Sequence, residues 1–237
     1  MSASDDRNNG RRTMLGRIRR GLDDGKSITA RQEIVNRRLG SQAPHLIPER
    51  ARKDAAGLQA LFIQHLEGQT ATVLRVAGTA GIPAAIAGYL RGQNLPLRLR
   101  MGGDERLLAL PWSNEPALSC ERGPAQPGDE VGLAHALAGV AETGTLVMAS
   151  GPANPVTLNY RPETHVVVLQ AADIAGPYEA AFEHVRAQLG RGTMPRTLNF
   201  ISGPSRTADI GGRLVVGAHG PRRLCVIIVG ASSLPIR

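Results

Sequence analysis

From Lys53 onward the apolar positions follow two alternating rhythms. Leu58, Leu61, Phe62 and Leu66 recur at spacings of three and four, the signature of a helix with one buried face. The segment Thr70–Val76 is short, β-branched and bounded by polar residues, which predicts a strand. A helix over Ile82–Arg91 follows, then strands at Leu95–Met101 and Leu118–Glu121. Val131–Val140 fits either a helix or a strand. Strands are predicted at Thr145–Ala149, His165–Leu169, Thr197–Ile201 and Leu224–Val229, with a helix over Tyr178–Leu189 between the second and third of these. Helices alternating with Val- and Ile-rich strands imply crossover connections, so the expected fold class is α/β, with a mostly parallel sheet covered by helices on both faces.

The first 52 residues have a different texture. Residues 1–12 are polar and are expected to be disordered, and a helix is predicted over Thr13–Leu22, with Thr13 as its N-cap. A second helix is predicted over Thr29–Leu39, ending at Gly40 before an extended Pro-bearing segment, Ala43–Pro48. The expected organisation is therefore a basic, partly disordered helical arm, 1–52, docked on an α/β domain, 53–237.

Composition narrows this picture. A length of 237 residues suits one well-cored domain with a peripheral arm. Aromatic residues make up only 3% of the chain, so the core must be aliphatic. The net charge of +8 suggests nucleic acid until it is mapped. Residues 1–54 carry 13 Lys and Arg against 7 Asp and Glu, whereas the remaining 183 carry 15 against 13. The folded part is nearly neutral and lacks interleaved aromatics, so nucleic-acid binding is not expected. No apolar run is long enough to span a bilayer and no secretory leader is evident, which points to a cytoplasmic protein. Cys120 and Cys225 are the only cysteines and have no cluster-binding spacing, so neither an iron–sulfur cluster nor a structural zinc is expected, and no metal ligands are assigned.

Four polar clusters adjoin the apolar runs, and in a sheet of this class ligands collect beyond the carboxyl ends of the strands. In Ala141-Glu142-Thr143-Gly144-Thr145 a carboxylate enters a region expected to be interior, where Glu142 could serve as a nucleophile or base, or merely cap a turn. In Leu158-Asn159-Tyr160-Arg161-Pro162-Glu163-Thr164-His165, Arg161 could grip a carboxylate or phosphate, while His165 reads as structural. Ser202, Gly203, Ser205, Thr207 and Asp209 follow a strand in a Gly-Pro turn rich in hydroxyls, suited to an anion. His219, flanked by glycines before the last strand, is placed for proton transfer. Gly78-Thr79-Ala80-Gly81 lacks the full dinucleotide-binding pattern.

Taken in order, AETGT at 141–145, RPETH at 161–165, ISGPSRTADI at 201–210 and GAHGPRRLCVIIV at 217–229 resemble the LUD domain of the lactate-utilization protein C family, most strongly over 131–230. The resemblance implies a fold similar to the ribose-phosphate isomerase, glucosamine-phosphate deaminase and CoA-transferase superfamily. It also implies a subunit or accessory role in a three-component system oxidising L-lactate to pyruvate, with iron–sulfur oxidoreductase proteins as partners and no redox centre in this chain. A glutamate attacks the thioester in the CoA-transferase relatives, and Glu142 is the position that corresponds. The chain departs from the family pattern at Gly211-Gly212, where an acidic residue is usual, and at Cys225, where His is frequent. The competing expectation is a stand-alone isomerase or acyl-transferase acting on a small anionic substrate through Glu142. The cofactor, if any, is not legible.

Overall fold

In the computed structural model the described residues are 3–22, 25–41, 46–190, 192–210, 213–217 and 219–230, with the side chains of 3–8 and 207–215 excluded. The chain divides into two units, Met1–His45 and Leu46–Arg237.

The first unit holds two helices, α1 (Ala3–Leu22) and α2 (Ile28–Gly40). Helix α1 begins ten residues before the predicted start, so the expected disorder is corrected over residues 3–12, while residues 1 and 2 lie outside the described residues. Thr13 does not cap it. Instead its hydroxyl donates to the Asn9 carbonyl one turn earlier, the bond a threonine makes inside a helix. Helix α2 is capped by Ser27, whose Oγ accepts from the Ala30 amide at 3.1 Å.

The second unit runs α3 (Ala55–Gly68), β1 (Thr72–Val76), α4 (Ile82–Gly92), β2 (Arg98–Met101), α5 (Glu105–Leu108), β3 (Ser119–Arg122), β4 (Val131–His135), β5 (Ala138–Val140) and β6 (Thr145–Ala149). It continues with α6 (Thr157–Tyr160), β7 (Thr164–Gln170), β8 (Ile174–Ala175), α7 (Tyr178–Leu189), β9 (Leu198–Ile201), β10 (Arg206–Ile210), β11 (Arg213–Val216) and β12 (Arg223–Val229). Six strands form a wholly parallel sheet in the order β1-β12-β7-β4-β2-β3. Strands β7 and β12 lie at its centre, paired over seven positions from Thr164↔Arg223 to Gln170↔Val229.

Side chains alternate across this sheet, and each face has its own core. Val166, Val168, Ile227 and Leu133 pack with Ile82, Ile86 and Leu90 of α4 on one face. Val167, Leu169, Val226 and Ile228 pack with Phe62 and Leu66 of α3 on the other. Helices thus cover both faces, as the alternation of elements predicts.

The stretch Val131–Val140 resolves into two strands, and β5 leaves the main sheet. It joins a four-stranded mixed sheet of order β8-β5-β6-β9. One face of this second layer meets the main core through Leu146 and Met148, while Val140 and Val147 pack on Ala181 and Val185 of α7. Close approach is possible because Gly139 has no side chain: a Cβ there would lie 2.9 Å from Leu169 Cδ2 and 3.0 Å from the Phe62 ring. Among the described residues no helix is long and apolar enough to cross a membrane.

Candidate functional site

The polar segments converge around a cleft of about 310 Å³. Its walls come from three places in the chain. Asn159 and Tyr160 end α6 just before β7, His219-Gly220-Pro221 precede β12, and Ser202–Arg206 follow β9. His165 and Leu224, paired across the first turns of β7 and β12, form part of the lining. The cleft therefore opens at the amino ends of the two central strands. The second sheet carries the Ser202 loop over this edge of the main sheet.

Backbone hydrogen bonds stitch the two loops together. The Ser205 amide donates to the Pro221 carbonyl at 2.8 Å, and the Gly217 amide to the Ser205 carbonyl at 2.9 Å. Gly217 has φ +79°, a left-handed conformation that glycine adopts without penalty. Arg206 donates to the Gln69 carbonyl and the Thr70 hydroxyl, fixing the far side of the loop to the end of α3.

Behind Ser202 lies a group of hydroxyls. Thr145 Oγ1 is 2.7 Å from both Ser202 Oγ and Thr143 Oγ1, and Tyr178 Oη lies 3.0 Å from Thr143 Oγ1 and 3.2 Å from Thr145 Oγ1. Gly144 lets this turn lie against α3: at φ +65° a Cβ would stand 2.6 Å from His65 Cβ. Thr143 and Thr145 thus connect to the cleft through Ser202, with Thr145 fully buried.

Glu142, one residue away, is not among the lining residues. Its carboxylate accepts from Arg50 Nη2 at 2.9 Å, with the glutamate side chain 13% exposed and the arginine 59%. Arg161 is exposed on the surface and donates to the Ala125 carbonyl at 3.3 Å. Among the sequence-derived residues the cleft gathers Ser202, Gly203, Ser205 and His219, while Glu142 and Arg161 stand apart from it. Thr207 and Asp209 lie on β10, and their side chains are outside the described residues, as are Gly211 and Gly212.

Sequence reasoning did not single out Asn159 and Tyr160, and it read His165 as structural. The signal for His165 was its register. It shares a strand face with Val167 and Leu169, so a polar ring occupies a core-facing position. His165 is 1% exposed, and burial pushes its imidazole from 6.5 down to about 3, leaving it uncharged at neutral pH. Desolvation also raises the Tyr160 phenol.

At the carboxyl ends of the main strands the polar side chains pair with one another. Asp104 is paired with Arg106 at 2.6 Å, and Asp173 with His184 at 2.9 Å. Burial opposes ionisation of Asp104, but the hydrogen bonds and charge of Arg106 outweigh it and hold the carboxyl below its usual range. Burial, then the Arg106 charge, pushes the His135 imidazole down, and its Nδ1 donates to the Ala136 carbonyl at 2.7 Å. Among the described residues no group of three or more His, Cys, Asp or Glu is arranged to hold a metal ion.

Fold and site together define a parallel-sheet α/β protein with a second mixed sheet, bearing a small cleft of hydroxyls, imidazoles and an amide. Residues 129–229 match the LUD domain, a span that contains every residue lining the cleft. Lactate utilization protein C from Shouchella clausii is 34% identical over 100 residues, 42% of this chain and 44% of that protein. Its namesake from a Geobacillus species is 35% identical over 100 residues, 42% of each chain. The matches thus span less than half the length of these relatives. A DUF162 family protein from Deinococcus radiodurans shares the fold, with TM-score 0.59 and 24% identity, covering 75% of this chain and 99% of that one. Over residues 129–229 the chain is thus similar to the LUD domain family.

Proposed function

We propose that this protein serves L-lactate utilization in the cytoplasm as an accessory or subunit component of lactate oxidation, working with iron–sulfur oxidoreductase partners and carrying no cluster of its own. The observation that carries the reading is the match to the LUD domain over 129–229, joined to relatives named lactate utilization protein C at 34% and 35% identity. The matched span includes the whole lining of the cleft, so the likeness extends to the surface where a ligand would bind. Only two cysteines are present, with Cys225 buried and Cys120 partly so, which supports electron transfer residing in partners. The alternative of a stand-alone acyl-transferase through Glu142 is less well supported, because that carboxylate is paired with Arg50 outside the cleft lining.

The test is L-lactate-dependent dye reduction in extracts of the host with and without the gene. Loss on deletion, restored by the wild-type chain, is the expected result. Undiminished reduction in the deletion strain, with no paralogue present, would overturn the proposal.

A further inference from the structure

The floor of the cleft is polar, buried and unsatisfied. Asn159 and His165 are each 1% exposed and both line the cleft. Among the described residues, Asn159 Oδ1 and Nδ2, and His165 Nδ1 and Nε2, have no hydrogen-bond partner. Leaving a buried donor or acceptor unpaired costs about 1–3 kcal/mol, and native proteins seldom do so. Four such atoms beneath one opening mark a place where the missing partners arrive from outside.

The chemistry of floor and mouth differs. A neutral imidazole offers one donor and one acceptor, and a carboxamide offers two donors and an acceptor, so together they suit an uncharged oxygen such as a hydroxyl or keto group. An anion would not be stable at the floor, because among the described residues no cation is buried there with it. The mouth is different, since among the described residues no Asp or Glu lines the cleft, whereas Arg206 and His219 do, beside the Ser205 hydroxyl. About 310 Å³ lies at the small end of ligand sites, suiting a molecule of few carbons.

We propose that the cleft binds a short 2-hydroxy or 2-oxo carboxylate, with its hydroxyl or keto oxygen on Asn159 and His165 and its carboxylate toward His219 and Ser205. The floor and mouth are argued from geometry, while the carbon skeleton rests on the lactate reading above.

The experiment titrates the ¹⁵N-labelled full chain with L-lactate, pyruvate, acetate and inorganic phosphate, following the His165 ring nitrogens by NMR. L-lactate or pyruvate should give a saturable shift, acetate should bind about 10-fold more weakly for want of the second oxygen, and phosphate should leave the ring unmoved. Asn159→Leu should weaken binding at least about 10-fold while raising the thermal midpoint of the ligand-free protein, because an unpaired amide has been removed. His165→Leu provides the second variant and should show the same opposed changes. Silence with all four probes, or phosphate binding more tightly than lactate, would overturn the proposal. So would leucine variants that lower the midpoint and leave probe binding unchanged. A deletion strain that oxidises lactate normally, combined with a lactate-induced His165 shift, would overturn the pathway role and leave the site standing. The reverse pair of results would remove the site alone.

Discussion

Acid should destabilise this protein through His165. In the folded chain burial keeps the imidazole unprotonated until about pH 3, whereas in the unfolded chain it takes a proton near its ordinary value of 6.5. Between those values the unfolded state binds the extra proton, so the contribution of neutral His165 is complete above 6.5 and is lost as pH falls toward 3. Each full pH unit in that window is worth about 1.4 kcal/mol, and integrating from about pH 7.5 to about pH 5 gives a loss of roughly 2 kcal/mol. His135 is pushed down as well and adds a loss of the same sign, so wild type alone does not isolate the effect. The assay is urea unfolding of wild type and His165→Leu at both pH values, without ligand. The wild type should lose about 2 kcal/mol more than the variant over this interval. Equal losses would show that the ring is hydrated or hydrogen-bonded and would refute the reasoning.

Three further outcomes are expected. Gly176→Ala would bring a Cβ to 2.2 Å from the Ala51 carbonyl oxygen, a backbone atom that cannot yield easily, and should cost at least about 1–3 kcal/mol in urea unfolding. Burial pushes the Cys120 thiol up to about 11 and the Cys225 thiol up to about 12, so neither should be labelled quickly by iodoacetamide at neutral pH in the folded protein, and both should react in denaturant. Glu142→Gln should shift stability by less than about 1 kcal/mol, because Arg50 is largely solvated, and any large loss of lactate-dependent dye reduction in that variant would then report chemistry or partner binding.

The periodicity of the chain determined most of the elements. Thr145–Ala149 and Tyr178–Leu189 have the bounds read from their apolar patterns, because each is flanked by Gly or Pro, which end regular structure locally. The α/β class was likewise legible, since helices between β-branched runs leave little choice but crossover connections. The order of the motifs also placed Ser202, Gly203, Ser205 and His219 among the residues to watch, and the fold brings these four to one cleft.

Sheet membership was not written locally. Strands β4 and β5 read as one apolar stretch because every residue in both is buried, and a strand covered on both faces carries no alternation to show which neighbour it pairs with. The pair β10–β11 and the short helices α5 and α6 were missed for another reason: elements of four or five residues are too short to show a period. What tertiary structure alone decided was the cleft. It requires the second sheet to carry Ser202 beside the first residues of β7 and β12, Thr164 and Arg223, a juxtaposition of segments distant in the chain that no local pattern encodes. It also decided where two side chains of the 158–165 segment lie: Arg161 at the surface, and His165 under the cleft with both nitrogens unpaired among the described residues. Sequence specifies which residues are apolar and where the chain turns, but whether a polar side chain meets water, a partner or an empty cleft depends on what packs above it.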